Sequence, residues 1–306
     1  MSPPPASSNP YNAGEVEAHR STLLLSIDFE DWHQLVRRRV GAPSLTAPVP
    51  ALRRQTESAL ELLDELGVKA TFFVLGMAAR SHPSLVEAIA QRGHEIGCHG
   101  DQHVPVYSQT PKEFASDLRT ARETIERLTG CRPTGYRAPA FSITEASSWA
   151  YEVLASEGFA YDASQHDSPR VRQRIAEQRS GPHVMELGSG VELWEFPVAV
   201  YHAPRACVPV GGPSYWAVLP GAVILEGLRR AGPMTGLYLH PYELDPERLR
   251  PLLDRGTPAE ARIKASARAL QRNVTRLRAE KVLRTIAKRF TLISYGDAHA
   301  RLAGSS

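Results

Sequence analysis

The chain lacks most of the features that mark disulfide-rich, membrane-spanning and nucleic-acid-binding proteins. It has three cysteines among 306 residues, and they form no CxxC pair, so neither a disulfide framework nor a thiolate zinc site is supported. No run of about 18 apolar residues occurs, and no transmembrane helix is predicted. The 36 Lys and Arg residues nearly balance the 33 Asp and Glu residues, which gives no reason to expect a nucleic-acid or membrane partner.

The first 20 residues lack the basic start and the apolar stretch of a secretory signal peptide. The cytoplasm is therefore the expected location. This segment, MSPPPASSNPYNAGEVEAHR, is instead rich in Pro, Ser and Asn, a composition typical of chains that do not fold alone. We expect residues 1–20 to be a disordered leader and residues 21–306 to form a single domain.

From about Thr22 onward, short apolar runs alternate with longer amphipathic stretches. TLLLSIDFE predicts a buried strand, SALELLDELG predicts a helix that ends at Gly67, and ATFFVLG predicts the next strand. TGLYLH and FTLISY are strand candidates near the C-terminus. Repeated alternation of strands and helices predicts an α/β fold with a parallel sheet, either open or closed into a barrel. Residues 164–220 are rich in Pro and Gly and predict loops with short strands.

Polar residues follow four of the predicted strands, where parallel α/β proteins gather their functional side chains. They comprise an acidic cluster, a pair of histidines, one arginine and one further histidine. In chain order they are Asp28, Glu30 and Asp31; His99 and His103; Arg137; and His240.

The histidine pair and the acidic cluster together favour a metal site. His99 and His103 are four residues apart, so on a helical turn both imidazoles face the same way. Chance alone gives roughly 0.4 such pairs in this composition, so the spacing is not decisive by itself. Carboxylates that repel one another at a strand end usually need a cation. One carboxylate with two imidazoles suits Zn²⁺ and accepts Co²⁺, Mn²⁺ or Fe²⁺. Ordinary loop histidines and a helix N-cap are the plain alternatives.

His240 and Arg137 are candidates for acid–base chemistry. A histidine near its reference pKa can hold a proton at neutral pH and give it to a leaving amine. Arg137 is a permanent cation that can pair with a catalytic carboxylate. A core histidine and a surface arginine are the plain alternatives.

Four sequence motifs, in this order, resemble the successive motifs of NodB-homology polysaccharide deacetylases, which are carbohydrate esterase family four: SIDFEDW, HGDQH, RAPAFS and LHPYE. ATFFVLG and GHEIGCHG look like the flanking strands. The stretch with LWEFPVAV and VPVGGPSYW is similar to a C-terminal extension on deacetylases of bacterial exopolysaccharide gene clusters. The resemblance implies an irregular (β/α) barrel of the NodB-homology type, with a loop-rich C-terminal extension from about residue 190.

The resemblance also implies catalytic roles. Asp28 matches the general base, Arg137 the arginine that orients this base, and His240 the general acid. The motif that supplies an aspartate to tether the catalytic histidine is degraded in this chain. Asp162 and Asp167 are both candidates for that aspartate.

The metal ligands and the oxyanion donor follow in the same way. His99 and His103 match the metal-binding histidines. The commonest family form has adjacent aspartates followed by glycine, whereas this chain reads DFEDW, so Glu30 and Asp31 both remain candidates for the carboxylate ligand. The backbone N–H of Ala140 matches the donor that helps to hold the oxyanion. An aromatic residue usually stands there, and alanine would open the pocket.

The resemblance implies a hydrolase that uses a divalent metal, foremost Zn²⁺, to remove N-acetyl groups from an amino-sugar glycan. The expected substrate is a bacterial exopolysaccharide or its precursor. Two alternatives stay open: an allantoinase-like amidohydrolase acting on a small cyclic amide, and a catalytically silent glycan-binding protein. Four aromatic residues are candidates for stacking on sugar rings. They are Trp32, Trp194, Tyr215 and Trp216.

Overall fold

The computed structural model describes residues 21–43, 49–166, 181–203 and 206–304. The predicted leader, residues 1–20, and Asp167 lie outside these residues. Within the described part, no helix combines the length and the apolar character needed to cross a membrane. Strands and helices alternate along most of it, as the apolar runs predict.

Short strands form the sheet and longer helices cover it. In chain order the described strands are β1 (Thr22–Phe29), β2 (Thr71–Val74), β3 (Glu95–Cys98), β4 (Gly135–Tyr136), β5 (Tyr161–Asp162), β6 (His183–Val184), β7 (Trp194–Glu195), β8 (Val200–Ala203), β9 (Ala206–Pro209), β10 (Gly236–Leu239) and β11 (Thr291–Ile293). The described helices are α1 (Trp32–Arg39), α2 (Pro50–Leu66), α3 (Gly76–Ser81), α4 (Pro83–Gln91), α5 (Pro111–Thr129), α6 (Trp149–Ser156), α7 (Pro213–Trp216), α8 (Gly221–Ala231), α9 (Ala259–Thr275), α10 (Ala279–Ala287) and α11 (Tyr295–Ala303). Single 3₁₀ turns are Val106–Ser108, Pro139–Phe141, Glu145–Ser147 and Pro241–Glu243.

The strands form one curled sheet of nine strands and one separate hairpin. The order in the sheet is β10-β1-β2-β3-β4-β5-β7-β6, and β11 pairs with the first half of β1. Its strand pairs are parallel except for β6 with β7. The hairpin is β8 with β9. The sheet therefore curls into a partly open barrel, and the predicted irregular (β/α) barrel is confirmed.

The side chains of β1 point alternately to the two faces of the sheet. Side chains alternate between the faces of a strand. From Leu23 to Phe29 the odd-numbered side chains pack with the outer helices in the largest core cluster, whereas Leu24 belongs to a cluster inside the half-barrel. Ser26 and Asp28 follow Leu24 at alternate positions and therefore face the interior too. This alternation brings a carboxylate to the inner face at the carboxyl end of β1.

Local signals set the ends of the covering helices. Helix α2 ends as predicted at Gly67, whose φ of +64° lies in the left-handed region that glycine tolerates best. Helix α5 begins with a capping box, in which Thr110 and Glu113 each accept a backbone hydrogen bond from the other. Gly67 thus ends α2 before the connection to β2, and the capping box fixes the end of the long connection that follows β3.

The C-terminal half departs from regular alternation. The described residues of the stretch 164–220 form the short strands β6 to β9 and the single-turn helix α7, in line with the predicted loops and short strands. Helices α9 and α10 follow each other closely in the last part of the chain. Helix α9 contacts both α1 and α7, which brings it close to the carboxyl end of β1.

Candidate active site

Four strands of the sheet deliver the predicted residues to one place. Asp28 is the penultimate residue of β1, His99 follows β3 directly, Arg137 follows β4, and His240 follows β10. Because these strands run parallel, their carboxyl ends meet at one edge. The structure confirms that the polar groups at these strand ends converge, as the contacts below show.

Glu30, His99 and His103 form a cluster that can hold a metal ion. One ligand atom from each lies within 4.8 Å of the others. Glu30 Oε2 is 3.0 Å from His103 Nε2 and 3.9 Å from His99 Nε2. Glu30 and His99 are buried, and His103 is half-buried. Two imidazoles and one carboxylate leave a coordination position open, which is the composition of catalytic zinc sites.

The surroundings keep these side chains in a metal-binding form. His99 Nδ1 lies 2.8 Å from the carbonyl oxygen of Arg137; when Nδ1–H donates to this oxygen, Nε2 carries the free lone pair. Burial lowers the pKa of His99 to about 4, so the ring is neutral at pH 7. Burial opposes ionisation of Glu30, but the neighbouring His103 and His240 outweigh it and lower its pKa to about 2.

Asp31, the second candidate for the carboxylate ligand, takes a structural position. It is the N-cap of helix α1, and its Oδ1 accepts a hydrogen bond from the backbone N–H of His33 at 2.8 Å. Of the two carboxylates that the sequence left open, the geometry therefore favours Glu30. The N-cap alternative holds for Asp31 and not for its neighbour.

Asp28 and Arg137 form a buried ion pair. Asp28 Oδ1 accepts a hydrogen bond from Arg137 Nη1 at 2.8 Å, and the arginine has no exposed surface. Its remaining nitrogens donate to the carbonyl of Ala163 at 3.0 Å and to the hydroxyl of Tyr295 at 2.8 Å. Burial disfavours the guanidinium charge, but Tyr295 and Asp28 outweigh this effect and raise the pKa of Arg137. The alternative of a surface arginine is wrong.

His240, which follows β10, faces the cluster of Glu30, His99 and His103 and has its own carboxylate partner. Its Nε2 lies 3.3 Å from Glu30 Oε1. On the other side of the ring, Nδ1 is 3.0 Å from Glu243 Oε2, which also accepts the backbone N–H of His240 at 2.9 Å. Burial would lower the pKa of His240, but Glu243 and Glu30 together raise it. Arg272 Nη1 lies 3.8 Å from Glu243 Oε1 and balances its charge.

The structure corrects the tether expected from the resemblance. Asp162 is fully buried at the end of β5, and its carboxylate accepts hydrogen bonds from the backbone N–H and the hydroxyl of Ser164, the latter at 2.6 Å. Among the described residues, the carboxylate that contacts His240 Nδ1 is Glu243 instead. Sequence reasoning missed Glu243, although the H-x-x-E spacing on a tight turn was the available signal. Asp167, the other candidate, lies outside the described residues.

The loop with Ala140 is held in an uncommon conformation. Ala140 is exposed and has φ +55°, and Phe141 follows with φ +53°. His103 has φ +54°. Left-handed conformations of residues other than glycine cost on the order of 1–3 kcal/mol and concentrate at functional sites. The ring of Phe141 packs against His166 and Tyr238 at 5.0 and 4.9 Å between centroids, so the loop is fixed. The oxyanion role of the Ala140 N–H stays a prediction.

Two of the four candidate sugar-stacking residues belong to the core. Trp216 is fully buried, and its indole N–H donates to the Val210 carbonyl at 2.7 Å. Trp32 is 3% exposed. Trp194 and Tyr215 are half-buried and keep part of their rings accessible. The sugar-stacking prediction is therefore wrong for the first two.

Family models match two consecutive parts of the chain. Residues 47–158 match the model described as polysaccharide deacetylase, and residues 166–295 match a domain of unknown function, DUF3473. The first match places a polysaccharide deacetylase domain in residues 47–158. It contains His99, His103 and Arg137, and the second match contains His240 and Glu243.

Curated relatives match part of this chain. A peptidoglycan deacetylase of Helicobacter pylori is 35% identical over 105 residues, which are 34% of this chain and 35% of the relative. A peptidoglycan-N-acetylglucosamine deacetylase of Bacillus cereus is 36% identical over 98 residues, which are 32% of this chain and 36% of the relative. The matched region thus spans about a third of the length of these relatives.

Solved structures share the fold over nearly the whole chain. A putative polysaccharide deacetylase from Mycobacterium smegmatis superposes with a TM-score of 0.62 at 20% identity, covering 100% of this chain and 96% of that one. The Puue allantoinase superposes with a TM-score of 0.56 at 18% identity, covering 96% and 95%. At these identities the likeness establishes the fold.

Proposed function

We propose that this chain is a metal-dependent hydrolase that removes N-acetyl groups from an amino-sugar glycan. One observation carries the proposal: a cluster of one carboxylate and two imidazoles adjoins a carboxylate-paired histidine and an arginine that holds a second carboxylate. The cluster is Glu30, His99 and His103. His240 Nε2 lies 3.3 Å from Glu30 Oε1, and Arg137, which pairs with Asp28, has its carbonyl oxygen 2.8 Å from His99 Nδ1. Metal-assisted amide hydrolysis uses a general base, a general acid and metal ligands close together, and these groups lie at the carboxyl edge of the sheet.

The donor set suits a divalent ion with borderline preferences, foremost Zn²⁺. Glu30 is ionised and His99 is neutral, so both present a lone pair. Glu30 Oε2 lies 3.0 Å from His103 Nε2 and 3.9 Å from His99 Nε2, and these separations are short enough for one ion to contact all three side chains. A divalent ion bound there would polarise the amide carbonyl and lower the pKa of a water molecule.

The protein's own side chains then move the protons. Asp28, oriented by Arg137, takes the proton of the attacking water as a new C–O bond forms at the acetyl carbon. His240 is held by Glu243 in the orientation that aims Nε2 at the site. Protonated His240 gives its proton to the sugar nitrogen as the C–N bond breaks, which releases acetate and a free amine. The Ala140 N–H is the proposed oxyanion donor.

The relatives guide the choice of substrate. The Bacillus cereus relative is named a peptidoglycan-N-acetylglucosamine deacetylase, and we propose N-acetylglucosamine as the sugar for this chain too. The finer proposal is a bacterial exopolysaccharide or its precursor, and it rests on the resemblance of LWEFPVAV and VPVGGPSYW to the extension of exopolysaccharide-cluster deacetylases. A cyclic-amide substrate and a silent glycan-binding protein are the outcomes that the experiment must separate from it.

The experiment is acetate release from N-acetylglucosamine oligomers by the purified protein, after metal removal and reloading with Zn²⁺, Co²⁺, Mn²⁺ or Fe²⁺. Acetate should appear only with metal. His99→Ala should lose both the bound metal and turnover, while His202→Ala, which changes an exposed histidine of β8, should keep both. Sugar binding without acetate release under every metal would indicate a silent binder, and hydrolysis of allantoin in its place would indicate the other hydrolase.

A further inference from the structure

Arg137 makes hydrogen bonds with several partners, and one of these partners lies in the C-terminal part of the chain. Two partners, Ser26 and Asp28, lie on β1, and the carbonyl of Ala163 lies just after β5. The remaining nitrogen, Nη2, donates to the hydroxyl of Tyr295 at 2.8 Å. Because Arg137 has no exposed surface, water cannot readily replace a partner that is removed.

Tyr295 is itself rigidly placed. It is the first residue of α11, directly after Ser294 and strand β11. Since β11 pairs with the start of β1 and β2 pairs with its end, the chain leaving β11 turns beside β2. There the backbone N–H of Tyr295 donates to Thr71 Oγ1 at 2.8 Å. The ring packs edge-on against Phe73 with centroids 5.6 Å apart, and it stacks with Tyr161 at 6.1 Å.

A glycine on the neighbouring strand makes room for the phenol oxygen. Gly236 begins β10, and a Cβ there would lie 1.9 Å from the Tyr295 hydroxyl. Any other residue would force the strand or the ring to shift. The sheet is therefore built around this hydroxyl, which points at the cation that holds Asp28.

We propose that Tyr295 is a positioning residue for the general base. Its hydroxyl fixes the plane of the Arg137 guanidinium, so that Nη1 stays directed at Asp28. Without this acceptor, a buried N–H loses its partner and the guanidinium tilts toward other oxygens, which moves the Asp28 carboxylate away from the attacking water. This role rests on the proposed function, and it assigns a catalytic contribution to the part of the chain that matches the domain of unknown function.

Tyr161 supplies a matched control. It lies in the same aromatic cluster and is equally buried. Its hydroxyl donates to Glu95 Oε1 at 2.6 Å, whereas the hydroxyl of Tyr295 accepts a hydrogen bond from Arg137. In the zinc-loaded full chain, Tyr295→Phe should lower kcat for acetate release about 10–100-fold, as loss of a supporting hydrogen bond commonly does. KM and zinc affinity should stay unchanged. Tyr161→Phe should lower the melting temperature without lowering kcat.

A second measurement does not depend on turnover. Solvent exchange of the Arg137 Nη–H groups, followed by NMR on arginine-labelled protein and assigned with Arg137→Lys, should be slow in the wild type and in Tyr161→Phe. It should be faster in Tyr295→Phe. Faster exchange in a protein that releases no acetate would support the positioning contact while the proposed function fails. Unchanged kcat and exchange in Tyr295→Phe, or equal kcat losses in both variants, would overturn the role of Tyr295.

Discussion

Two buried aspartates at the carboxyl ends of strands have opposite partners. Asp28, on β1, faces the guanidinium of Arg137 at 2.8 Å. Asp162, on β5, faces another carboxyl group, that of Glu195 on β7, and burial raises the pKa of both members of this second pair. Burial is nearly the same, at 3% and 0% exposure. The partner, and not the depth, therefore decides what each aspartate can do.

The difference has a chemical consequence. A carboxylate beside a permanent cation remains an acceptor and can take a proton from water. Two carboxyl groups that hydrogen-bond each other in a buried site retain a proton between them, because two adjacent buried charges repel. A shared proton leaves the pair of Asp162 and Glu195 with one charge in place of two. Asp162 accepts a hydrogen bond from the hydroxyl of Ser164, which in turn accepts the backbone N–H of Ala138 at 2.7 Å. We therefore propose a chemical role for Asp28, whereas Asp162 supports the loop beside it.

Replacing each aspartate by asparagine gives the widest contrast in turnover. Asp28→Asn should keep metal and sugar binding but lower kcat roughly 10²–10⁴-fold, because the general base is gone. Asp162→Asn should lower kcat far less, since Asp162 lies away from the metal cluster's ligands and the amide oxygen of asparagine can keep one of the two hydrogen bonds from Ser164. Acetate release by both variants, with bound zinc measured in parallel, checks this. Equal losses in the two variants would mean that the partners do not separate the two roles.

Removing the cation of the first pair should damage stability as well as turnover. Arg137→Leu leaves Asp28 as a buried charge without its partner, which costs about 3–5 kcal/mol in comparable buried pairs. The double variant Asp28→Asn with Arg137→Leu should recover part of this loss, because the unpaired charge is gone. Urea denaturation of the four metal-free proteins measures the coupling. A double variant as unstable as the sum of the single changes would show that the ion pair is not the cause.

The fold and the positions of the site follow from sequence patterns to a large extent. Continuous apolar runs such as that of β1 indicate strands buried on both faces, and polar residues at their ends indicate the catalytic edge. Glu30, His99 and His103 were each predicted as metal ligands on this basis and through the family resemblance, and the structure brings them together.

What the sequence could not supply are the partners of these residues. Tyr295 was missed because its hydrogen bond with Arg137 depends on how β11 pairs with β1, and no periodicity encodes that pairing. Glu243 lies on the same turn as His240, and its local spacing was overlooked. Asp162 was one of two candidates for the tether from a degraded motif, whereas its carboxylate accepts hydrogen bonds from Ser164. Local pattern predicts which residues reach an edge, and the packing decides which of them touch.

The third carboxyl environment, that of Glu243, tests whether a carboxylate next to a histidine sets the pKa of that histidine. Glu243 and Glu30 raise the pKa of His240 against the effect of burial. The acid form should therefore persist above its ordinary range, and activity should decline on the basic side as His240 loses its proton. Glu243→Gln removes one charge, so the basic limb of kcat/KM should move to lower pH, with a loss of about 10–100-fold at neutral pH. An unmoved basic limb would exclude Glu243 as the group that sets it.

Glu195→Gln should scarcely affect turnover, yet it should reveal the shared proton of the second pair. The folded-state pKa of Glu195 is raised well above the ordinary value of 4.5. Above pH 4.5 the unfolded chain therefore releases a proton that the folded protein keeps, and wild-type stability falls as pH rises toward the folded-state pKa. The slope is at most about 1.4 kcal/mol per pH unit for one proton.

Glutamine has no such proton, and its amide can donate to Asp162 in place of the protonated carboxyl. The variant should therefore match the wild type near pH 5 and become progressively more stable than it at pH 7 and 9, by urea denaturation without metal. Glu192→Gln, which changes an exposed glutamate, should follow the wild-type curve at every pH. Parallel curves for Glu195→Gln and the wild type would show that the second pair carries its charge at neutral pH, and the contrast between the two aspartates would then reduce to geometry alone.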